Sequence, residues 1–147
     1  MKLQIHSKKE TEQFGEKLGS HAFEGMCITL NGDLGAGKTT LTKSIGKAMG
    51  INKTISSPTF TILKIYQGSM PLYHIDAYRL EGLHQDLGFE EMLEGDGVCI
   101  IEWGEFIQDI LPENRLDITI SNGNDEERTF DIQAFGKQYE TLLEKLK

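Results

Sequence analysis

The chain is poor in arginine, cysteine, proline and long apolar runs, and each shortage excludes something. Only Arg79, Arg115 and Arg128 occur among 147 residues, beside 12 lysines and 23 acids; the formal charge is −8 and the pI is near 5.0. A free-standing nucleic-acid binder draws most of its affinity from phosphate neutralisation by Lys and Arg, so this balance argues against one, while leaving contact with RNA through a partner open. A small-molecule kinase that closes several arginines over its phosphates is disfavoured on the same count. The two cysteines, Cys27 and Cys99, each lie in an apolar run with no second Cys or His at metal-ligand spacing. They read as buried thiols in a reducing compartment. Residues 1–10 hold no apolar run of signal-peptide length, and no stretch approaches the roughly 20 apolar residues of a membrane span. A soluble cytoplasmic protein without membrane contact is expected. Three prolines against 16 glycines promise many tight turns and no collagen-like or linker-like tract.

What is present is ordinary for a globular protein: 38% hydrophobic and 26% charged residues. The length suits a single domain spanning 1–147. Residues 1–6 alternate weakly, as a strand does. Ser7 and Glu10 have capping-box spacing, and Thr11, Phe14 and Leu18 follow at helical intervals, with Gly25 as the end of that segment. Residues 26–30 form a short buried strand, 32–37 a Gly-rich loop, and 38–49 a helix with Leu41, Ile45, Ala48 and Met49 along one side and Gly50 at its end. Residues 60–66 and 72–75 read as strands joined by Gln67-Gly68-Ser69. Residues 83–93 read as a helix, and the acids of 81–94 as a solvated face. The run Val98-Cys99-Ile100-Ile101 has the pattern of a strand covered on both faces. A short helix, 105–111, stops at Pro112. Residues 116–121 and 129–133 alternate around the turn Asn122-Gly123-Asn124-Asp125. Tyr139, Leu142, Leu143 and Leu146 stripe a last helix. This order predicts an α/β three-layer sandwich of P-loop NTPase type, its mixed sheet parallel at the centre and antiparallel at the flanks.

The loop carries the clearest chemistry. Gly32-Asp33-Leu34-Gly35-Ala36-Gly37-Lys38-Thr39 satisfies G-x-x-x-x-G-K-[ST] at every fixed position, after an apolar strand and before a helical pattern. Glycines let successive backbone N–H groups turn inward as an anion nest, and the helix adds its N-terminal amides and positive dipole end. Lys38 is placed to reach β- and γ-phosphates, and the Thr39 hydroxyl to hold Mg²⁺. A second metal anchor usually stands as an acid after a buried run. Glu102, after Val98-Cys99-Ile100-Ile101, has that form and can bind Mg²⁺ or polarise the attacking water. In His74-Ile75-Asp76-Ala77-Tyr78-Arg79, Asp76 closes a strand and can also reach metal or water, Arg79 can meet phosphate or an acid, and His74 alone reads as a structural histidine. Ser56-Ser57-Pro58-Thr59-Phe60 reads as a plain loop or as a nucleotide-sensing one, with Thr59 the sensor.

Taken in order, Gly-Asp-Leu-Gly-Ala-Gly-Lys-Thr-Thr (32–40), Ser-Pro-Thr-Phe-Thr (57–61), His-x-Asp-x-Tyr-Arg-Leu (74–80) and Ile-Glu-Trp (101–103) resemble the TsaE (YjeE) family, small bacterial P-loop ATPases of the tRNA threonylcarbamoyladenosine pathway. The resemblance covers nearly the whole chain. It implies an ATPase that works with a TsaB–TsaD complex, in which the threonylcarbamoyl group is moved onto adenosine 37 of tRNAs reading ANN codons. The family member resets that complex and is not the transferase. Any tRNA contact would pass through the complex, and self-association is left open. Carried over by motif, Asp33 and Gly35, Ala36, Gly37, Lys38, Thr39 and Thr40 would bind ATP. Thr39 and Glu102 would hold Mg²⁺. Lys38, Asp76, Glu102 and Thr59 would serve hydrolysis. Lys8, Thr11 and Arg128 would make further nucleotide contacts.

Two other readings compete. One is a binding switch whose ATP and ADP states differ in partner affinity, with 52–59 as the moving part. The other is a small-molecule kinase, already disfavoured by the scarcity of arginine. A GTPase is weaker still, because Asn52-Lys53-Thr54-Ile55 lacks the Asp of an N-K-x-D motif.

Overall fold

Short apolar runs closed by glycine or by acids become neighbouring strands. The structure is a computed structural model and describes residues 1–33, 35–55, 63–78 and 89–147, with the side chains of residues 89 and 90 left aside. Seven strands, β1 (Lys2–Ile5), β2 (Cys27–Asn31), β3 (Leu63–Gln67), β4 (Pro71–Asp76), β5 (Val98–Glu102), β6 (Arg115–Asn122) and β7 (Arg128–Phe135), form one sheet in the order β1-β7-β6-β2-β5-β4-β3. The inner four, β6-β2-β5-β4, pair in parallel. The outer pairs β1–β7, β6–β7 and β3–β4 are antiparallel. The expected parallel centre with hairpin flanks is what forms. β5 is buried along its whole length, as its uninterrupted apolar run required.

Among the described residues four α-helices join the sheet: α1 (Lys8–Ser20), α2 (Lys38–Ala48), α3 (Phe89–Leu93) and α4 (Lys137–Leu146). One face of the sheet packs Ile28, Leu30, Ile100, Ile118 and Phe130 against Phe14 and Leu18 of α1, Leu41 and Ile45 of α2, and Tyr139, Leu142 and Leu146 of α4. The other face packs Cys27, Ile75, Cys99 and Ile101 against Leu93 and against Ile107 of a 3₁₀ segment, Gly104–Ile110. Helices on both faces of one sheet make the three layers. Among the described residues no helix is long and apolar enough to cross a membrane.

Several local readings need correction. α1 stops at Ser20, five residues before Gly25, because the His21 and Ala22 amides tighten back onto Leu18 and Gly19 carbonyls. The capping box takes a shifted form. The Glu10 amide donates to Ser7 Oγ at 3.2 Å, while the Glu10 carboxylate accepts from the His6 amide at 2.9 Å. Ala48 is exposed, and Thr42, Ser44 and Gly46 are the buried partners of Leu41 and Ile45. The short helix read at 105–111 is a 3₁₀ segment, Gly104–Ile110. Of the helix read at 83–93 only Phe89–Leu93 is described, and strand residues 60–62 lie outside the described residues.

The periodicity of α1 also hides how it docks. Gly15 and Gly19, one turn apart, lie against α2, where a Cβ on Gly19 would stand 2.4 Å from the Ile45 carbonyl oxygen and 2.9 Å from Ala48 Cβ. Gly19→Ala would gain about 1 kcal/mol of helix propensity. Forcing the helices apart costs about 1–3 kcal/mol, and the displaced neighbour is backbone, which yields least. We expect a net loss of stability, read as a melting temperature lower by several degrees, on the order of 2–4 °C per kcal/mol for a chain this size. An unchanged or higher melting point would show that α1 slides freely on α2.

Cys27 and Cys99 face each other across β2 and β5, both free and buried. Burial pushes the Cys27 thiol far above its ordinary range and the Cys99 thiol up to about 12. Tyr139, whose hydroxyl accepts the Cys27 amide at 2.8 Å, is likewise pushed up to about 12 by burial. In each case the folded state disfavours the ionised form. Their contribution is therefore complete below the ordinary thiol value of 9.0 and is lost as pH rises from there toward 12. Urea midpoints should be flat to about pH 9 and fall above it, with a shallower alkaline limb in Cys99→Ala. A midpoint rising through that window would contradict the burial of these groups.

Candidate functional site

The Gly-rich loop joins the C-terminal end of β2 to α2, at the carboxyl edge of the parallel strands where open α/β sheets bind ligands. Leu34 lies outside the described residues. Gly35 and Gly37 adopt φ of +80° and +105°, left-handed conformations that would strain a side-chain-bearing residue. Gly37 caps α2 with no side-chain hydrogen bond, and no acid occupies the first turn. The leading amides of α2 therefore face the loop with no side-chain acceptor or negative charge competing for them, as an anion site requires.

Lys38 starts α2 and is only 5% exposed. Its Nζ donates to the Gly32 carbonyl at 2.8 Å, lies 3.7 Å from Glu102 Oε1 and sits 4.6 Å above the Trp103 ring. A buried ammonium needs such partners. Glu102 ends β5, itself 4% exposed, and is in register with Asp76 at the end of β4. Glu102 Oε2 is 2.6 Å from His74 Nε2. Asp76 is 9% exposed, and its Oδ1 accepts the Tyr78 amide at 3.0 Å, which turns the chain away as it leaves the sheet. One ammonium, two carboxylates and one imidazole thus gather at one corner of the phosphate loop.

A cleft of about 170 Å³ opens on the loop's other side, lined by Lys8, Thr11, Gly35, Ala36, Gly37, Thr40, Glu126 and Arg128. It brings together residues from α1, the loop, α2 and the β6–β7 turn that the sequence separates widely. Thr39 and Thr40 are half-buried in the first turn of α2; Asp33 is exposed and does not line the cleft. Arg128 is committed to backbone oxygens: Nε to Ala36 at 3.0 Å, Nη2 to Gly35 at 3.5 Å, and Nη1 to Asp125 and Glu127 at 2.8 and 2.7 Å. It straps the loop's outward carbonyls to the turn and so holds the inward amides in place. Lys8 is exposed, and its amide donates to Glu126 Oε1 at 3.2 Å. Thr59, Arg79 and the 56–60 loop lie outside the described residues.

Trp103 and His74 stood in quoted motifs without a functional role, and Glu126 was not singled out. Trp103 holds φ 59°, ψ 40°, a conformation costing a bulky residue about 1–2 kcal/mol, and stacks on Phe106 beside Tyr78. Its place directly after the strand-end acid was the available signal. His74 shares a sheet face with Asp76, two residues on, and that parity was legible. Glu126 sat unremarked in an acidic turn.

The candidate ligands at the loop are oxygens, the Thr39 hydroxyl and the Glu102 and Asp76 carboxylates, with the His74 imidazole engaged by Glu102; no group of three metal-ligating His, Cys, Asp or Glu side chains occurs among the described residues. Such a set suits Mg²⁺, which keeps water and leans on substrate phosphates, better than a cation needing a full protein cage.

Comparison with known proteins gives a consistent picture. The family model described as "Threonylcarbamoyl adenosine biosynthesis protein TsaE" matches residues 5–130. The chain is 44% identical to the tRNA threonylcarbamoyladenosine biosynthesis protein TsaE of Bacillus subtilis over 147 residues, covering 99% of this chain and 93% of the relative. It is 40% identical to the TsaE of Treponema pallidum over 131 residues, 86% of this chain and 97% of that one. The crystal structure of Bacillus subtilis YdiB superposes with a TM-score of 0.85 at 38% identity, covering 99% of this chain and 93% of that one.

Proposed function

Since the chain belongs to the TsaE family of tRNA threonylcarbamoyladenosine biosynthesis proteins, we propose that it is a Mg²⁺-dependent ATPase that resets a TsaB–TsaD complex in the cytoplasm, meeting tRNA only through that complex. The observation that carries this reading is buried Lys38, aimed between the Gly32 carbonyl and strand-end Glu102 at the foot of an uncapped helix N-terminus.

The amides of Gly35 to Thr40 receive the phosphates. Lys38 exchanges the Gly32 carbonyl for β- and γ-phosphate oxygens, trading one set of acceptors for another without leaving its buried position. Thr39 and Glu102 would hold Mg²⁺, which when bound neutralises charge on the phosphates. Asp76, beside Glu102 in register, would orient the attacking water, and Thr59 would sense the γ-phosphate by the family resemblance. Lys8, Thr11 and Arg128 border the nucleoside end, Arg128 through the loop it braces.

Phosphate release should be measured with Mg²⁺ and ATP, with the chain alone and with TsaB–TsaD added. Turnover that depends on Mg²⁺ and rises with the complex is expected. No turnover in either arm overturns the proposal.

A further inference from the structure

We propose that His74 is a positioning residue for this reaction: it holds Glu102 by Oε2, so that Oε1 stays turned toward Lys38 and the phosphate loop. This rests on the ATPase reading and adds a residue to it.

The register sets up the contact. Asp76 pairs with Glu102 and His74 with Ile100, so His74 and Glu102 share one face of β4 and β5, one step apart on the diagonal. The result is His74 Nε2 at 2.6 Å from Glu102 Oε2. His74 is completely buried. Packing alone does not ask for an imidazole there, since an aliphatic side chain would fill the space with no polar group to satisfy. The other ring nitrogen sharpens the assignment. Nδ1 is buried with no hydrogen-bond partner among the described residues. A buried N–H without an acceptor is costlier than a bare nitrogen lone pair, so the ring proton belongs on Nε2, where it meets the carboxylate. His74 is therefore the donor, and Glu102 the acceptor.

A glutamate at a strand end can turn about its last side-chain bond. With Oε2 occupied, Glu102 presents Oε1 alone to the loop, 3.7 Å from Lys38 Nζ. When phosphates take up the Lys38 ammonium in place, it is shared between them and Oε1, and His74 remains the partner that serves Glu102 alone. Partners behind a metal-binding or water-polarising carboxylate typically change affinity or rate by about 10–100-fold when removed.

His74→Leu keeps the volume and deletes the donor, whereas His74→Gln offers an amide N–H near the place of Nε2. With the TsaB–TsaD complex present, His74→Leu should lower kcat by about 10–100-fold and raise the Mg²⁺ concentration for half-maximal rate by about tenfold. KM for ATP at saturating Mg²⁺ should move less than about threefold, because the loop amides are untouched. His74→Gln should recover most of kcat. A role in core packing alone predicts equal damage in both variants, and that result, or wild-type kinetics in His74→Leu, overturns the proposal. Long-range ¹H–¹⁵N spectra of the wild-type chain give a reading that needs no turnover and no folded leucine variant. The ring proton should reside on Nε2 and its signal should shift in Glu102→Gln. A proton on Nδ1, or a signal indifferent to Glu102→Gln, overturns the contact itself. Wild-type protein that binds and hydrolyses no ATP overturns the ATPase reading instead, whatever the ring spectra show.

Discussion

Lys38→Ala is expected to lower ATP turnover by about two to three orders of magnitude, the loss typical of one preorganised donor aimed at developing charge. Lys38 offers three N–H groups to phosphate oxygens, and Arg128, the described arginine at the loop, spends its guanidinium on four backbone carbonyls. The loop amides survive the substitution, so some nucleotide affinity should persist and the defect should weigh on kcat. Stability should change as well. The variant leaves the Gly32 carbonyl and Glu102 Oε1 without their ammonium, at about 1–3 kcal/mol for groups so little exposed. Lys38→Arg should not rescue, because a longer, planar guanidinium does not put a compact point charge at the place where Nζ meets the Gly32 carbonyl, Glu102 and the Trp103 ring together. Phosphate release and a thermal melt on the same samples separate the two effects. Turnover within a few-fold of wild type would place the phosphates elsewhere.

Glu102→Ala should remove most turnover, by about 10²-fold or more. Glu102→Gln refines the expectation. Its carbonyl oxygen can still accept from His74, so shape and packing survive while the charge is lost. If the carboxylate anchors Mg²⁺ or polarises water, Gln should be nearly as damaging as Ala to kcat and far gentler to the melting temperature. If both variants hydrolyse ATP at near-normal rates, Asp76 becomes the anchor, since it ends the adjacent strand in register with Glu102. Double substitution of Asp76 and Glu102 would then be the deciding measurement.

The phosphate loop was legible because an amide nest is built by eight consecutive residues, so its glycines, its lysine and its helix signal sit in one window. The strand-end acids were legible for a related reason: a buried parallel strand is one short apolar run, and its last residue must face the ligand edge. Gly15 and Gly19 were not legible as a docking seam, since an apolar stripe shows which side of a helix is buried and not how near its neighbour comes. Ala48 was misplaced for the same reason. Gly15 of α1 meets Ser44, and Ile51 and Ile55 cover Gly46, whereas Ala48 stays exposed at the edge of the seam, beside Gly19.

Arg128 and His74 each gained a partner that only the tertiary structure shows. The family resemblance gave Arg128 a nucleotide contact; it lines the cleft, and across 92 residues of chain its guanidinium also braces the loop. His74, read as a structural histidine, is the partner of a carboxylate 28 residues away. What residues 32–40 can do follows from their order alone, since neighbouring amides and a following helix need no distant help to attract an anion. Which side chains aim, brace and neutralise around that loop was decided by strand order and register. Those bring together groups far apart along the chain, at distances of a few ångströms that no local pattern encodes.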